Sequence, residues 1–91
     1  MAIGWKVSVL PSAQSELDEL TDAVRQEAMQ AIVDLREDPF PYGSIPLEGH
    51  TDLYRIRFYR EQYRIVYQVS EKRRSVIITR VRPRRDAYSG L

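Results

Sequence analysis

The chain has 91 residues, of which 43% are hydrophobic and 30% charged, and it contains no cysteine. These values exclude general disorder, a disulfide framework and a thiolate metal site, and the length predicts a single domain over residues 1–91. Residues 1–50 carry three basic and nine acidic side chains, a net charge of −6, and residues 51–91 carry eleven and four, a net charge of +7. This asymmetry indicates either a C-terminal surface that faces a polyanion or a solvated charged sheet beside an acidic helical layer.

The N-terminal part of the chain predicts one strand followed by two helices. Apolar and other side chains alternate over residues 5–10, as in a strand, and Ser12 is the expected N-cap of the first helix. A second capping signal at Thr21-Asp22 separates this helix from another, which runs to about Glu37. Pro39 ends the second helix, because the residue before a proline is pushed out of the helical region.

The C-terminal part predicts a loop and three strands. Prolines and glycines punctuate residues 38–51, which we expect to form a loop. Two strands joined by Arg60-Glu61-Gln62 then form a hairpin, and a last strand covers about Val76 to Val81. The predicted order is β-α-α-β-β-β, an α+β fold with two N-terminal helices packed on one face of a mostly antiparallel four-stranded sheet.

The predicted hairpin has one apolar face and one basic face. Its apolar register holds aromatic and β-branched residues: Tyr54, Ile56, Phe58, Tyr63, Ile65, Tyr67 and Val69. We expect the tyrosines of this register to lie in the core, since aromatic side chains dominate burial. If both strands turn their apolar faces to one core, Arg55, Arg57 and Arg64 lie together on the opposite face.

The sequence lacks the patterns of several kinds of binding site and of a membrane or secreted protein. It has no phosphate-binding glycine-rich loop, no dinucleotide-binding turn and no cluster of metal ligands, so we expect no metal and no other cofactor. His50, the only histidine, stands in the predicted loop, where an exposed side chain is the expectation. No apolar run is long enough to span a membrane and no signal-peptide pattern opens the sequence, which predicts a cytoplasmic protein without a membrane partner.

Arginine and tyrosine are the side chains that this sequence offers for chemistry. A guanidinium group binds phosphate bidentately and stays charged at any working pH, and arginine and tyrosine faces stack on unpaired bases. The candidate residues come from the hairpin and the C-terminal tail: Arg55, Arg57, Arg64, Arg82, Arg84, Arg85 and Tyr88. This pattern supports binding of RNA or phosphate, including by Arg82 and Arg85, and says little about catalysis.

Four short motifs follow one another in the second half of the chain. They are L-E-G at 47–49, L-Y-R-I-R at 53–57, Y-R-I-V-Y-Q-V at 63–69 and R-P-R-R-D-A-Y at 82–88. With the leading strand and the two helices, they make the chain resemble the RelE/ParE superfamily of bacterial toxins from type II toxin–antitoxin pairs. The closing R-R-D-A-Y is more similar to the RelE branch, which cleaves mRNA in the ribosomal A site, than to the ParE branch, which poisons DNA gyrase.

The resemblance implies a role for individual residues. Arg64 matches the family arginine that contacts the scissile phosphate, and Arg84 matches the arginine that protonates or stabilises the leaving 5′ oxygen. Tyr88 matches the tyrosine that stacks on or orients the mRNA nucleotide, and Arg55 and Arg57 match the basic pair on the preceding strand. The implied reaction is attack of a ribose 2′-OH on its own 3′ phosphodiester without a metal, catalysed by positioning and electrostatic stabilisation.

The sequence departs from the family pattern where a general base is needed. RelE-type relatives often carry lysines where this chain has Arg55 and Arg57, and arginine is not deprotonated in proteins. Pro83 stands where some relatives have histidine, which removes another acid–base group. The group that takes the 2′ proton is therefore left open.

The resemblance also implies partners. A cognate antitoxin would hold the toxin inactive in a hetero-oligomer, laying a helix or strand along the arginine surface and covering or displacing the tail. The other implied partners are mRNA in the ribosomal A site and rRNA. Two alternatives stay open: a ParE-like gyrase inhibitor that is not an enzyme, and an arginine-faced domain that binds rRNA or its antitoxin but has lost lethal activity.

Overall fold

The computed structural model describes residues 4–91, which form two helices and five strands. Their bounds are β1 (Lys6–Val9), α1 (Pro11–Asp18), α2 (Asp22–Asp34), β2 (Ile45–Pro46), β3 (Leu53–Phe58), β4 (Tyr63–Ser70) and β5 (Ser75–Pro83), followed by a 3-10 turn at Arg84–Asp86. The strand order in the sheet is β1-β5-β4-β3-β2. β1 runs parallel to β5, and every other neighbouring pair is antiparallel. The predicted α+β class and the order of its main elements are confirmed.

The two helices bury their apolar stripes in one core with the sheet. Ala13 and Leu17 are the buried residues of α1, and Val24, Ala28 and Ile32, spaced four apart, are those of α2. The sheet contributes the buried side chains Ile56, Phe58, Ile65, Tyr67, Val69, Val76, Ile78 and Val81. Each large apolar side chain that is removed from water here contributes about 1.5–3 kcal/mol. The helices therefore cover one face of the sheet and leave the other to the C-terminal tail and to solvent.

The tyrosines of the apolar register take part in this core, as predicted. Tyr67 is fully buried, and Tyr54 and Tyr63 pack partly buried against the cluster. The Tyr54 and Tyr67 rings stack with their centroids 6.0 Å apart, and the Phe58 and Tyr63 ring centroids lie 5.5 Å apart. These three tyrosines are thus structural, whereas Tyr88 lies outside the core and is 40% exposed.

The sheet has five strands, and the prediction of four was wrong. The segment predicted as loop contains the short edge strand β2, in which Ile45 pairs with Arg55 and Pro46 with Tyr54. Proline is tolerated at a sheet edge because its missing N–H can face away from the neighbouring strand. The prolines and glycines of this segment indicated a loop, and a strand of only two residues was not predicted.

Two helix ends also differ from the prediction. The first helix begins at Pro11 with Leu10 as its N-cap and no side-chain cap bond, so Ser12 is not the cap. Proline suits a first helical position because its φ is preset and the missing N–H would have no helical partner there. The second helix begins at Asp22 as predicted but ends at Asp34, with a turn over 35–37.

No helix within residues 4–91 combines the length and apolar character needed to cross a membrane.

A bulge in β5 decides which of its side chains face the core. Val66 pairs with Arg80 and Tyr67 with Ile78, so Thr79 is an extra residue on β5. Because of this extra residue, Ile78 and Val81 both face the core although they are three positions apart. The Thr79 hydroxyl donates to the Val66 carbonyl oxygen at 3.0 Å, which satisfies an acceptor at the point where the ladder is disrupted.

Candidate nucleic-acid interface

The sheet face opposite the helices carries two rows of side chains across β3, β4 and β5. One row is Arg57, Arg64 and Arg82, and the other is Arg55, Val66 and Arg80. We call the five arginines of these rows the arginine face. The strand register thus brings Arg55, Arg57 and Arg64 together, as the two-residue period predicted.

Arg55 is nearly buried beneath the loop before β2. Its exposed fraction is 8%, and its Nη1 donates to the Gly43 carbonyl oxygen at 3.2 Å. Burial lowers the pKa of Arg55, and the neighbouring Arg57 and Arg64 lower that pKa further. The Tyr88 phenol interacts with this guanidinium and opposes the shift. Arg55 and Tyr88 therefore meet at one end of the arginine face.

Arg64 occupies the middle of the face and is held by the hairpin turn. Its exposed fraction is 6%, and its Nη1 donates to the carbonyl oxygens of Glu61 at 2.7 Å and Tyr63 at 3.2 Å. Its Nε is buried and has no hydrogen-bond partner among residues 4–91. An unsatisfied buried donor costs about 1–3 kcal/mol, so this nitrogen is a donor in need of an acceptor.

Two arginines of the first row form ion pairs. Arg57 donates from Nη1 to Glu61 Oε1 at 3.0 Å, in a pair whose side chains are largely exposed. Arg82 donates from Nε to Glu16 Oε2 at 2.6 Å, and Glu16 Oε1 accepts the Val81 N–H at 2.9 Å. β1 pairs with β5 only as far as Ile78, so the Glu16 carboxylate takes the place of a strand partner for Val81. Arg82 is thus bound to α1, whereas Arg57 pairs only with an exposed carboxylate.

The C-terminal tail folds back over the second row. Arg80 donates from Nη1 to the carbonyl oxygens of Ala87 at 3.1 Å and Ser89 at 2.6 Å, and Ala87 is fully buried. Burial lowers the pKa of Arg80 and nearby Arg82 adds to this effect.

Sequence reasoning missed Arg80. Its spacing of two residues from Arg82 was the available signal, but the same spacing from the core residue Ile78 indicated the opposite face.

Arg84 and Arg85 lie beside the β3–β4 turn. Both are exposed, and the Arg84 N–H donates to the Gln62 carbonyl oxygen at 2.9 Å. They line a shallow groove of about 520 Å³ together with Arg60, Glu61, Gln62 and Pro83. Arg57, Arg64 and the backbone of Arg84 therefore all contact the Glu61–Gln62 segment, so three arginines from three elements surround one turn.

This turn has an unusual backbone. Tyr59, Arg60 and Glu61 all have positive φ, at 51°, 56° and 65°, although none is glycine. Left-handed backbone costs a residue with a side chain roughly 1–2 kcal/mol. The turn is fixed by the Tyr59 N–H, which donates to Glu27 Oε2 on α2 at 2.8 Å, and by the Gln62 N–H, which donates to the Tyr59 carbonyl oxygen at 3.0 Å. Such strain is typical of functional sites, where the surrounding structure holds it.

The remaining candidate ligands do not gather into a metal site. His50 is exposed in the loop before β3. Within residues 4–91, no three histidine, aspartate or glutamate side chains come close enough together to hold a metal ion. The chemistry of the face is thus that of fixed cations, two carboxylates and a phenol.

Comparison with known proteins decides the family. The model of a family described as the ParE toxin of the type II toxin–antitoxin system parDE matches residues 7–88. The chain belongs to this family. It is a type II toxin of the RelE/ParE superfamily, as the sequence resemblance predicted. No curated protein sequence matches the toxin significantly.

Solved structures similar to the toxin include several named RelE. The matched chain in the RelE–RelB complex of Pyrococcus horikoshii OT3 is 28% identical to the toxin. The alignment covers 90% of the toxin and 97% of the matched chain, with a TM-score of 0.77. The isolated Escherichia coli RelE toxin is 26% identical, and the alignment covers 87% of this chain and 83% of the RelE chain with a TM-score of 0.76. A YoeB/ParE toxin from Agrobacterium tumefaciens, 23% identical with coverage of 86% and 96% and a TM-score of 0.72, shares the fold.

Proposed function

We propose that the toxin is a metal-independent endoribonuclease that cleaves mRNA in the ribosomal A site and so inhibits translation. The observation that carries this proposal is the convergence of Arg57, Arg64 and Arg84 on the Glu61–Gln62 turn, with Tyr88 at the other end of the face beside Arg55. Similarity to two RelE structures above 25% identity supports the RelE branch. The proposed location is the cytoplasm.

In the proposed reaction the ribose 2′ oxygen attacks the adjacent phosphorus while the bond from phosphorus to the 5′ oxygen breaks. The products are a 2′,3′-cyclic phosphate and a free 5′-OH. Arg64 stabilises the charge on the phosphoryl oxygens, and its guanidinium is held in place by the carbonyl oxygens of Glu61 and Tyr63. Arg84 stabilises the leaving 5′ oxygen, Tyr88 orients a nucleotide by stacking, and Arg55, Arg57, Arg82 and Arg85 bind phosphates along the strand.

Cleavage is tested with Arg64→Ala and Arg84→Ala. Each loses donors aimed at developing charge, so we expect each to lower the rate of cleavage on programmed ribosomes by about 100-fold or more and to abolish growth arrest. Arg73→Ala removes an exposed arginine from the β4–β5 turn, away from the face, and should cleave like the wild type.

The readout is mapping of mRNA 5′ ends after induction, together with cleavage of a purified mRNA that carries a 2′-deoxynucleotide at the mapped site. Codon-phased cuts that vanish with the 2′-deoxy substitution support the proposal. Growth arrest that survives both arginine substitutions would count against RNA cleavage as the toxic activity.

Gyrase inhibition is the second candidate, because the matching family model describes a ParE toxin. A gyrase inhibitor would act by binding alone, and its arginine face would contact a protein or DNA. Intact mRNA together with broken DNA after induction favours this candidate. Loss of both effects leaves a domain that binds rRNA or its antitoxin without lethal activity.

The proposed protein partner is a cognate antitoxin, since the Pyrococcus horikoshii relative was solved in a complex with RelB. An antitoxin segment that covers the arginine face would compete with RNA for it and could displace the tail from Arg80. We therefore propose that the toxin is stored as a toxin–antitoxin hetero-oligomer.

A further inference from the structure

The proposed reaction needs a group that takes the 2′ proton, and the arginine face presents few. Neither lysine nor histidine stands in its two rows, and arginine does not act as a base. The carboxylates that contact arginines of the face are Glu16 and Glu61. Among the carboxylates, the candidates for the proton acceptor of this reaction are therefore these two side chains.

Glu16 is unsuited to this task. One of its carboxylate oxygens accepts the Val81 N–H at 2.9 Å and the other accepts from Arg82 at 2.6 Å. Its side chain is only 24% exposed and lies on α1 beside the edge of β5. Because both oxygens already serve structural contacts, a proton on Glu16 would break the link between α1 and the sheet.

Glu61 is placed and exposed as a proton acceptor should be. Its side chain is 69% exposed, and its Oε1 accepts from Arg57 at 3.0 Å. It lines a groove of about 550 Å³ with Arg55 and Arg57, and it also lines the groove of Arg84 and Arg85. Glu61 thus stands between the predicted phosphate-binding arginines and the arginine assigned to the leaving group.

The backbone fixes this position. Glu61 has a φ of 65°, its carbonyl oxygen accepts from Arg64, and the turn is tied to α2 through Tyr59 and Glu27. A side chain on a turn held in this way is directed by the fold rather than free to swing with a mobile loop. The carboxylate and the Arg64 guanidinium are therefore carried by the same short segment.

We propose that Glu61 is the general base of the toxin, an inference that rests on the proposed nuclease function. Its carboxylate takes the proton from the ribose 2′-OH as the bond from the 2′ oxygen to phosphorus forms. The bond to the 5′ oxygen breaks, and that oxygen takes a proton from water while Arg84 stabilises its charge. Glu61 then returns its proton to solvent, so the protein ends unchanged. Arg57 orients the carboxylate and binds the phosphate backbone.

Glu61→Gln and Glu61→Asp test this role. The glutamine keeps the size and the contact to Arg57 but cannot accept the proton, so we expect the single-turnover rate of cleavage on programmed ribosomes to fall about 100-fold or more. Affinity for the programmed ribosome should stay equal or increase, because a negative charge is lost from a basic face. Glu61→Asp keeps a carboxylate at this position and should retain part of the rate.

Glu37→Gln, which removes an exposed carboxylate after α2, is the matched control and should behave as the wild type. If Glu61→Gln cleaves as fast as the wild type, or faster, Glu61 only masks Arg57 and the inference is wrong while the nuclease function stands. If the wild type does not cleave at all, the nuclease function fails and the inference fails with it. An unchanged melting temperature of Glu61→Gln shows that a loss of rate is not a loss of fold.

Discussion

The Tyr67 side chain lies fully buried in the core, and its hydroxyl donates to the Pro39 carbonyl oxygen at 2.8 Å. Burial raises the pKa of Tyr67 to about 12, whereas the phenol of an unfolded chain ionises near pH 10. The unfolded chain therefore loses this proton first, and its ionisation favours unfolding. The contribution of Tyr67 to stability is complete below about pH 10 and falls by about 2–3 kcal/mol as the pH rises to 12.

Tyr67→Phe tests this dependence through urea unfolding at pH 8 and at pH 11.5. At pH 8 we expect a loss of about 1–2 kcal/mol, because the Pro39 carbonyl loses its donor. Between the two pH values the variant should lose less stability than the wild type. Tyr42→Phe, at a fully exposed tyrosine, should follow the wild type. An alkaline loss of equal size in Tyr67→Phe and wild type would contradict the assignment.

Sequence reasoning placed individual side chains well where a simple period applied. Arg55, Arg57 and Arg64 share a face because successive residues of a strand alternate sides, and Tyr67 is buried for the same reason. The period could not show that Arg82 pairs with Glu16, since these residues are 66 positions apart in sequence and only the packing of α1 joins them.

At the level of elements, the bulge in β5 determines which β5 side chains lie on each face of the sheet. Thr79→Ala removes the hydroxyl that donates to the Val66 carbonyl oxygen, so we expect the free energy of unfolding to fall by about 1 kcal/mol in urea titrations. Thr79→Ser keeps the donor and should be more stable than Thr79→Ala. A serine variant as unstable as the alanine variant would show that the hydroxyl does not support the bulge.

The bulge also explains why the sequence alone missed Arg80. Counting by twos from the core residue Ile78 puts Arg80 in the core, whereas counting from Arg82 puts it on the arginine face. Two core residues at the odd spacing of Ile78 and Val81 signal an extra residue between them. The strand β2 was missed for a different reason, since a strand of two residues, one of them a proline, is too short to show a period.

Across the whole molecule, charge is separated along the direction in which RNA would approach. Residues 1–50, which include both helices, carry a net charge of −6, and residues 51–91, which include three of the five strands and the tail, carry +7. A polyanion is therefore drawn to the face opposite the helices, where guanidinium groups outnumber carboxylates. The charge asymmetry of the sequence indicated such a surface as one of two interpretations, but the way the tail folds over Arg80 depends on contacts that no short motif encodes.

In the proposed reaction Arg64 and Arg84 act on one phosphodiester, the first on its phosphoryl oxygens and the second on its leaving oxygen. The most direct test is single-turnover cleavage of an mRNA whose 5′ bridging oxygen at the cleavage site is replaced by sulfur, because a thiolate leaves without help. We predict that Arg84→Ala, slowed about 100-fold on normal mRNA, regains nearly the wild-type rate on the sulfur substrate, while Arg64→Ala stays slow on both. Failure of the sulfur substrate to rescue Arg84→Ala, or equal rescue of both variants, would contradict these roles of Arg64 and Arg84.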